Sequence, residues 1–216
     1  MRFHIITTFP EIIRPYTEDS ILKRAQSSGA ISITFYNPRD FTTDKHHKTD
    51  DIPYGGGPGM VMYAEPVLRT VESIKSKVES GEGYNKFKII HFSPAGKQFT
   101  NTIAKGYTKY TDIVLICGRY EGIDARVKKI LKGDEISVGP YVLTGGELPA
   151  LIVADAVSRQ ISGVLGNESS IEEKRVSAHD VYTRPEILEW KEKRYKVPAV
   201  LTSGNHKKID EWKKAH

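Results

Sequence analysis

Five short strand-like runs, alternating with stretches of helical spacing, confine this chain to one class of architecture. The runs are Arg2–Thr7, Ile31–Tyr36, Lys86–Phe92, Asp112–Cys117 and Glu135–Val138. Helices are expected over 17–28, 64–78, 100–109, 123–131 and 146–161. Strands that alternate with helices build a mostly parallel sheet with helices on both faces, so the chain reads as an α/β protein. Asp40–Gly59 breaks the rhythm, being polar, glycine-rich and without a period, and a stretch of that length inside a compact domain is expected to be functional. Beyond the last helix, 162–180 reads as a polar linker, and helical signals return at Arg184–Lys191 and Lys207–Lys214. The expected division is therefore a main domain at 1–161, a linker at 162–180 and a small helical, basic region at 181–216.

At 216 residues the chain is long enough for one large domain with an appendage, and its 38% hydrophobic and 27% charged residues are those of a folded globular protein. Its longest apolar runs, such as Ile113–Cys117, fall far short of the roughly 20 residues of a membrane helix, and Met1–Ile6 has no signal-peptide core. A cytoplasmic location with no membrane partner is expected. The single cysteine, Cys117, has no partner for an internal disulfide and lies in a strand-like run, where it reads as a core residue. Net charge is +5, and from Val181 to His216 nine Lys/Arg face five acids, an excess of +4. Most of the positive surplus thus sits in the tail, as suits a polyanionic partner.

Three segments at strand ends carry the candidate chemistry, because ligands of open α/β sheets bind at the carboxyl ends of strands. They are Phe92-Ser93-Pro94-Ala95-Gly96, Cys117-Gly118-Arg119-Tyr120-Glu121-Gly122 and Ser137 through Glu147. Their glycines let backbone N–H and C=O groups approach a nucleotide-like ligand closely. Other motifs are excluded. Tyr54-Gly55-Gly56-Gly57-Pro58-Gly59-Met60 has no following Lys-Ser or Lys-Thr and is no phosphate loop, and no Gly-X-Gly-X-X-Gly opens a helix after the first strand. His46 and His47 lack a second ligand cluster at zinc spacing, so no metal site is expected.

Gly118-Arg119-Tyr120-Glu121-Gly122-Ile123-Asp124-Ala125-Arg126-Val127 and Tyr141-Val142-Leu143-Thr144-Gly145-Gly146-Glu147-Leu148-Pro149-Ala150 resemble motifs of the bacterial tRNA (guanine-N1)-methyltransferases. The resemblance continues through Thr49–Met60, Val157-Ser158-Arg159, Gly163-Val164-Leu165-Gly166, Tyr182–Glu186 and Leu201–His206, in family order over nearly the whole chain. It implies a SPOUT-type main domain with a C-terminal trefoil knot, a homodimer, and methyl transfer from S-adenosyl-L-methionine to N1 of the guanine at position 37 of tRNA, with S-adenosylhomocysteine as product. A requirement for magnesium is left open. By the same resemblance Phe92, Ser93, Pro94, Gly118, Tyr120, Glu121, Val138, Gly139, Pro140, Tyr141, Val142, Leu143, Gly145 and Gly146 would line the cofactor pocket. Asp50 and Arg159 would serve catalysis and guanine binding, Arg159 by stabilising negative charge on the carbonyl beside N1.

The linker departs from the family pattern. An aspartate general base is usual after Gly-Val-Leu-Gly, whereas Asn167–Val176 carries Lys174 at the corresponding place. A lysine is protonated at neutral pH unless strongly desolvated, so the neighbouring Glu173 is the expected base, with Glu172 and Asp180 as alternatives. Pro140 replaces an acidic or amide residue of the family's cofactor loop. The family usually continues through further C-terminal helices, which would leave 181–216 as a shortened tRNA-binding region. Two competing readings follow: a catalytically silent RNA-binding homologue, and a SPOUT methyltransferase acting on another nucleotide.

Overall fold

A computed structural model describes residues 1–80, 86–166 and 180–215 in two compact units, Met1–Gly166 and Asn167–His216. In the first unit, β1 (Arg2–Ile6), β2 (Ser32–Tyr36), β5 (Phe87–Gln98), β6 (Asp112–Ile116) and β7 (Asp134–Ser137) form one sheet in the order β2-β1-β6-β5-β7, with every adjacent pair parallel. Helices α1 (Arg14–Thr17), α2 (Ser20–Ser27), α3 (Ala64–Glu79), α4 (Asn101–Tyr107) and α5 (Ala125–Leu131) lie between successive strands, and α6 (Glu147–Ser158) follows β7. A short antiparallel pair, β3 (Asp50–Asp51) and β4 (Val61–Met62), stands apart from the main sheet. The α/β expectation is met.

Both faces of the sheet are buried, and the twofold alternation of strand side chains divides the core accordingly. On β6, Ile113 and Leu115 join Phe3, Ile5 and Ile90 under the buried side chains of α2, α4 and α6. Val114 and Ile116 join Ile6 and Ile89 against Val67, Val71 and Ile74 of α3 and Val127 of α5. Cys117 belongs to the first cluster, and burial pushes its thiol pKa well above the ordinary value. A buried protonated thiol is a packing group.

Three expected elements differ from the structure. The helix expected over 17–28 starts later, as α2 at Ser20, where Asp19 is the N-cap and its carboxylate accepts from Ser20 N at 2.6 Å, and the short α1 before it was not expected. The strand expected to end at Phe92 continues as β5 to Gln98: Ile136 of β7 is partnered by both Phe92 and Lys97, so the chain bulges away and returns to the same strand. Gly96 makes that return possible, since a Cβ there would stand 2.7 Å from backbone atoms of Glu135 and Ile136. In the second unit, the helical signal at Arg184–Lys191 is overturned by a β-hairpin of β8 (Ile187–Trp190) and β9 (Lys193–Lys196). Lys191 and Glu192 turn the chain with φ of 47° and 62°, without the Asn-Gly signature of such a turn, and Leu188 pairs across with Tyr195. The short α7 (Ala199–Thr202) and α8 (His206–Ala215) follow, the latter over the stretch where a helix was expected.

Asp112, wholly buried at the start of β6, accepts from Arg2 Nε at 2.7 Å and Nη2 at 2.9 Å and from Thr111 Oγ1 at 2.7 Å, and bonds His4 Nε2 at 2.9 Å. Burial by itself would raise its pKa, but the hydrogen bonds from Arg2, His4 and Thr111 prevail and hold it at about 2. A carboxyl with a depressed folded-state pKa stabilises the protein above its unfolded value, and the stabilisation is lost as pH falls towards the folded value. Acid unfolding monitored by circular dichroism is therefore expected to steepen between pH 4 and 2. Asp112→Asn is expected to cost about 2–4 kcal/mol at neutral pH, by leaving Arg2 and His4 short of their buried partner, and to flatten that part of the acid profile.

Candidate active site

The carboxyl ends of β5, β6 and β7 deliver the three singled-out segments to one cavity of about 510 Å³. Phe92, Ser93 and Pro94 line it from the bulge of β5, Gly118, Tyr120 and Glu121 from the loop after β6, and Val138, Gly139, Tyr141, Val142, Leu143, Gly145 and Gly146 from the loop after β7. Pro140 is exposed and lies outside this lining. The volume is within the roughly 300–1,000 Å³ usual for small-molecule sites. Tyr120, Tyr141 and Val142 present exposed apolar surface around it, suited to a flat ring system. Ser137 shapes the third loop, its hydroxyl donating to Gly139 O at 3.0 Å and accepting from Gly139 N at 3.3 Å.

Two of the loops are bound directly to each other. Gly146 N donates to Gly118 O at 2.9 Å, and Arg119 and Gly145 form an antiparallel bridge. A Cβ at Gly146 would stand 2.6 Å from Cys117 Cα, so glycine is needed here for loop-to-loop packing as well as for any ligand. Beneath the bridge, the buried Glu147 receives Thr7 Oγ1 at 2.7 Å and Arg119 Nε at 3.1 Å. The Arg119 guanidinium also stacks over Phe9 at 4.8 Å and reaches Thr144 O at 3.4 Å. One buried ion pair thus joins the end of β1 to both cavity loops. Glu147 and Arg119 lie in the quoted motifs, but their contacts could not be read from spacing because their partners are 28 and 140 residues apart.

Asp50 and Arg159 do not line the cavity. Asp50 lies on β3, where Thr49 Oγ1 donates to it at 3.2 Å, and β4 ties this hairpin to the loop after β6 through Glu121 N to Met60 O at 3.0 Å and Met62 N to Gly122 O at 2.9 Å. The glycine-rich segment before β4 is thereby anchored against the cavity loop that carries Glu121. Arg159 caps the C-terminal end of α6 and is partly buried. Of the candidate bases, Glu172 and Glu173 fall outside the described residues, as does Lys174, whereas Asp180 is described and exposed. Among the described residues no cluster of three or more His, Cys, Asp or Glu side chains is arranged to hold a metal ion, and no helix is long and apolar enough to cross a membrane. The sequence reading missed His91, a buried side chain on β5 that also lines the cavity.

A family profile described as tRNA (Guanine-1)-methyltransferase TrmD matches residues 1–216. The chain is 48% identical over 218 residues to the tRNA (guanine-N(1)-)-methyltransferase of Clostridioides difficile, covering 99% of this chain and 91% of that protein. It is 49% identical to the protein of the same name from Thermomicrobium roseum, covering 99% and 78%, and 46% identical to that of Carboxydothermus hydrogenoformans, covering 99% and 81%.

The Arg119–Glu147 pair is expected to hold the cavity loops in register. Glu147→Ala leaves Arg119 without its buried partner and is expected to lower the free energy of unfolding by about 3 kcal/mol in urea titration. Hydrogen exchange should rise in 118–122 and 144–147 before it rises in β6, a pattern that a uniform loss of stability would not produce.

Proposed function

The chain belongs to the tRNA (guanine-1)-methyltransferase family, and from that premise we propose that it transfers a methyl group from S-adenosyl-L-methionine to N1 of the guanine at position 37 of tRNA. The observation that carries this reading is the single cavity formed by the motifs of all three strand-end loops. Its apolar rings suit an adenine, and its loop backbones offer hydrogen-bonding groups for a nucleoside. When bound, S-adenosyl-L-methionine supplies a methyl group made electrophilic by the cationic sulfur. Guanine N1 is weakly acidic, so Glu173 takes its proton as N1 bonds to the methyl carbon and the carbon–sulfur bond breaks, leaving S-adenosylhomocysteine. Arg159 stabilises the charge that collects on the adjacent carbonyl oxygen, and Asp50 helps to seat the base.

Further features support the rest of the family's arrangement. Family membership supports a trefoil knot in the chain around the cavity loops. Exposed Ile12, Tyr16, Leu148 and Ile152 offer an apolar face for a second copy: Leu148 and Ile152 stand one turn apart on α6, and Tyr16 OH donates to Asp155 Oδ2 at 2.7 Å on the same helix. The basic residues of 181–216 are suited to tRNA phosphates. We take 1–161 as the catalytic domain, 162–180 as the linker that brings the base, and the cytoplasm as the place of action.

Labelled S-adenosyl-L-methionine and a tRNA with guanine at position 37, assayed with and without magnesium, are expected to yield 1-methylguanosine at that position. Methyl on another nucleotide, or binding of both substrates with no transfer, would reject the reading in favour of a differently directed enzyme or a silent homologue. Glu173→Gln is expected to lower turnover at least about a hundredfold with cofactor affinity unchanged. A near-native rate would transfer the role to Glu172 or Asp180.

A further inference from the structure

His91 is 8% exposed, lines the cavity, and keeps Nε2 buried with no hydrogen-bond partner. On β5 it is paired with Ile116 of β6 and Glu135 of β7. Burial lowers its pKa, the Glu135 carboxylate raises it, and Lys128 lowers it, so the ring is neutral at physiological pH. Lys128 and Glu135 are already paired with each other at its side. Position 133 is glycine, and a Cβ there would stand 2.9 Å from the ring's Nε2 and Cδ2. The same Cβ would stand 2.8 Å from Ile89 O, so the ring packs directly against a backbone that has room only for glycine.

A buried polar group without a partner destabilises a protein, and at a cavity wall the occupant can remove that penalty. A neutral imidazole carries one donor and one acceptor, which suits an uncharged hydroxyl or ring nitrogen. The ionic amino-acid end of S-adenosyl-L-methionine needs charged partners or water; the exposed Glu121 offers these on the lining, whereas Lys128 and Glu135, which also line the cavity beside His91, are engaged with each other. We infer that His91 is a binding residue for the nucleoside end of the cavity's ligand, its imidazole forming a hydrogen bond with that end. This rests on the S-adenosyl-L-methionine reading of the cavity.

The test pairs ligand affinity with stability. His91→Phe replaces an unsatisfied ring with an apolar one of similar size, so the ligand-free protein is expected to melt at the same temperature or higher. Its affinity for S-adenosylhomocysteine, by calorimetry, is expected to fall at least about fivefold, with the same factor for 5′-methylthioadenosine, which lacks the amino-acid end. His91→Gln, which keeps a donor and an acceptor, should stay within about threefold of the wild type. Unchanged affinity in His91→Phe makes His91 a core residue and overturns the inference, and so does an equal loss in His91→Gln. A loss for S-adenosylhomocysteine but not for methylthioadenosine overturns the nucleoside assignment. If His91→Phe does not fold, His91→Gln decides against the inference by losing fivefold or more. Failure of the wild-type protein to bind S-adenosylhomocysteine rejects the underlying reading of the cavity, a result separable from any comparison of variants.

Discussion

A single strand holds β7 twice. Phe92 and Lys97 of β5 both pair with Ile136, and the chain between them reaches its second contact only because Gly96 brings its backbone onto that of Glu135 and Ile136. Ser93 and Pro94 lie in the bulge with Phe92 at its start, and β7 leads directly into the loop that begins at Val138. The wall and floor of the cavity are thus placed by one backbone contact. Side-chain packing tolerates adjustment, but a backbone-to-backbone approach of this kind leaves no volume for any side chain, which is why the cavity depends on glycine at 96.

Polar interactions secure the two ends of the sheet for different purposes. At the amino end, away from the cavity, the buried Asp112 collects Arg2, His4 and Thr111. That cluster is structural. At the carboxyl end, Glu147 and Arg119 bind loops rather than strands, and the chain they draw together is the lining of the cavity. His91 lies near the same end with a nitrogen unsatisfied, in contrast to His4, whose two ring nitrogens meet Tyr36 and Asp112. The difference between a completed and an incomplete network separates the two histidines on physical grounds, although both are buried and both have lowered pKa values.

The main-domain elements were legible because each depends on local periodicity. Ile113–Ile116 of β6 is a continuous apolar run, and both faces of the sheet bury it. Elements fixed by turn chemistry or by distant partners were not. The β8–β9 hairpin turns on Lys191 and Glu192 in the left-handed region, which charge and helix propensity conceal. The extension of β5 through Ser93-Pro94-Ala95-Gly96 contradicts every local signal, since proline and glycine normally end a strand, and only the presence of β7 explains it.

By itself, the sequence determined the α/β class, the three strand-end segments and, through long motifs, membership of a methyltransferase family. These follow from residue type and order, which require no knowledge of what lies opposite. Tertiary structure alone decided that the three segments share one cavity, that Glu147 and Arg119 join them, that Pro140 faces outward, and that His91 stands at the wall with an unpaired nitrogen. Each of those is a relation between residues brought together by packing, and hydrogen-bond satisfaction is a property of a folded neighbourhood that no single position carries.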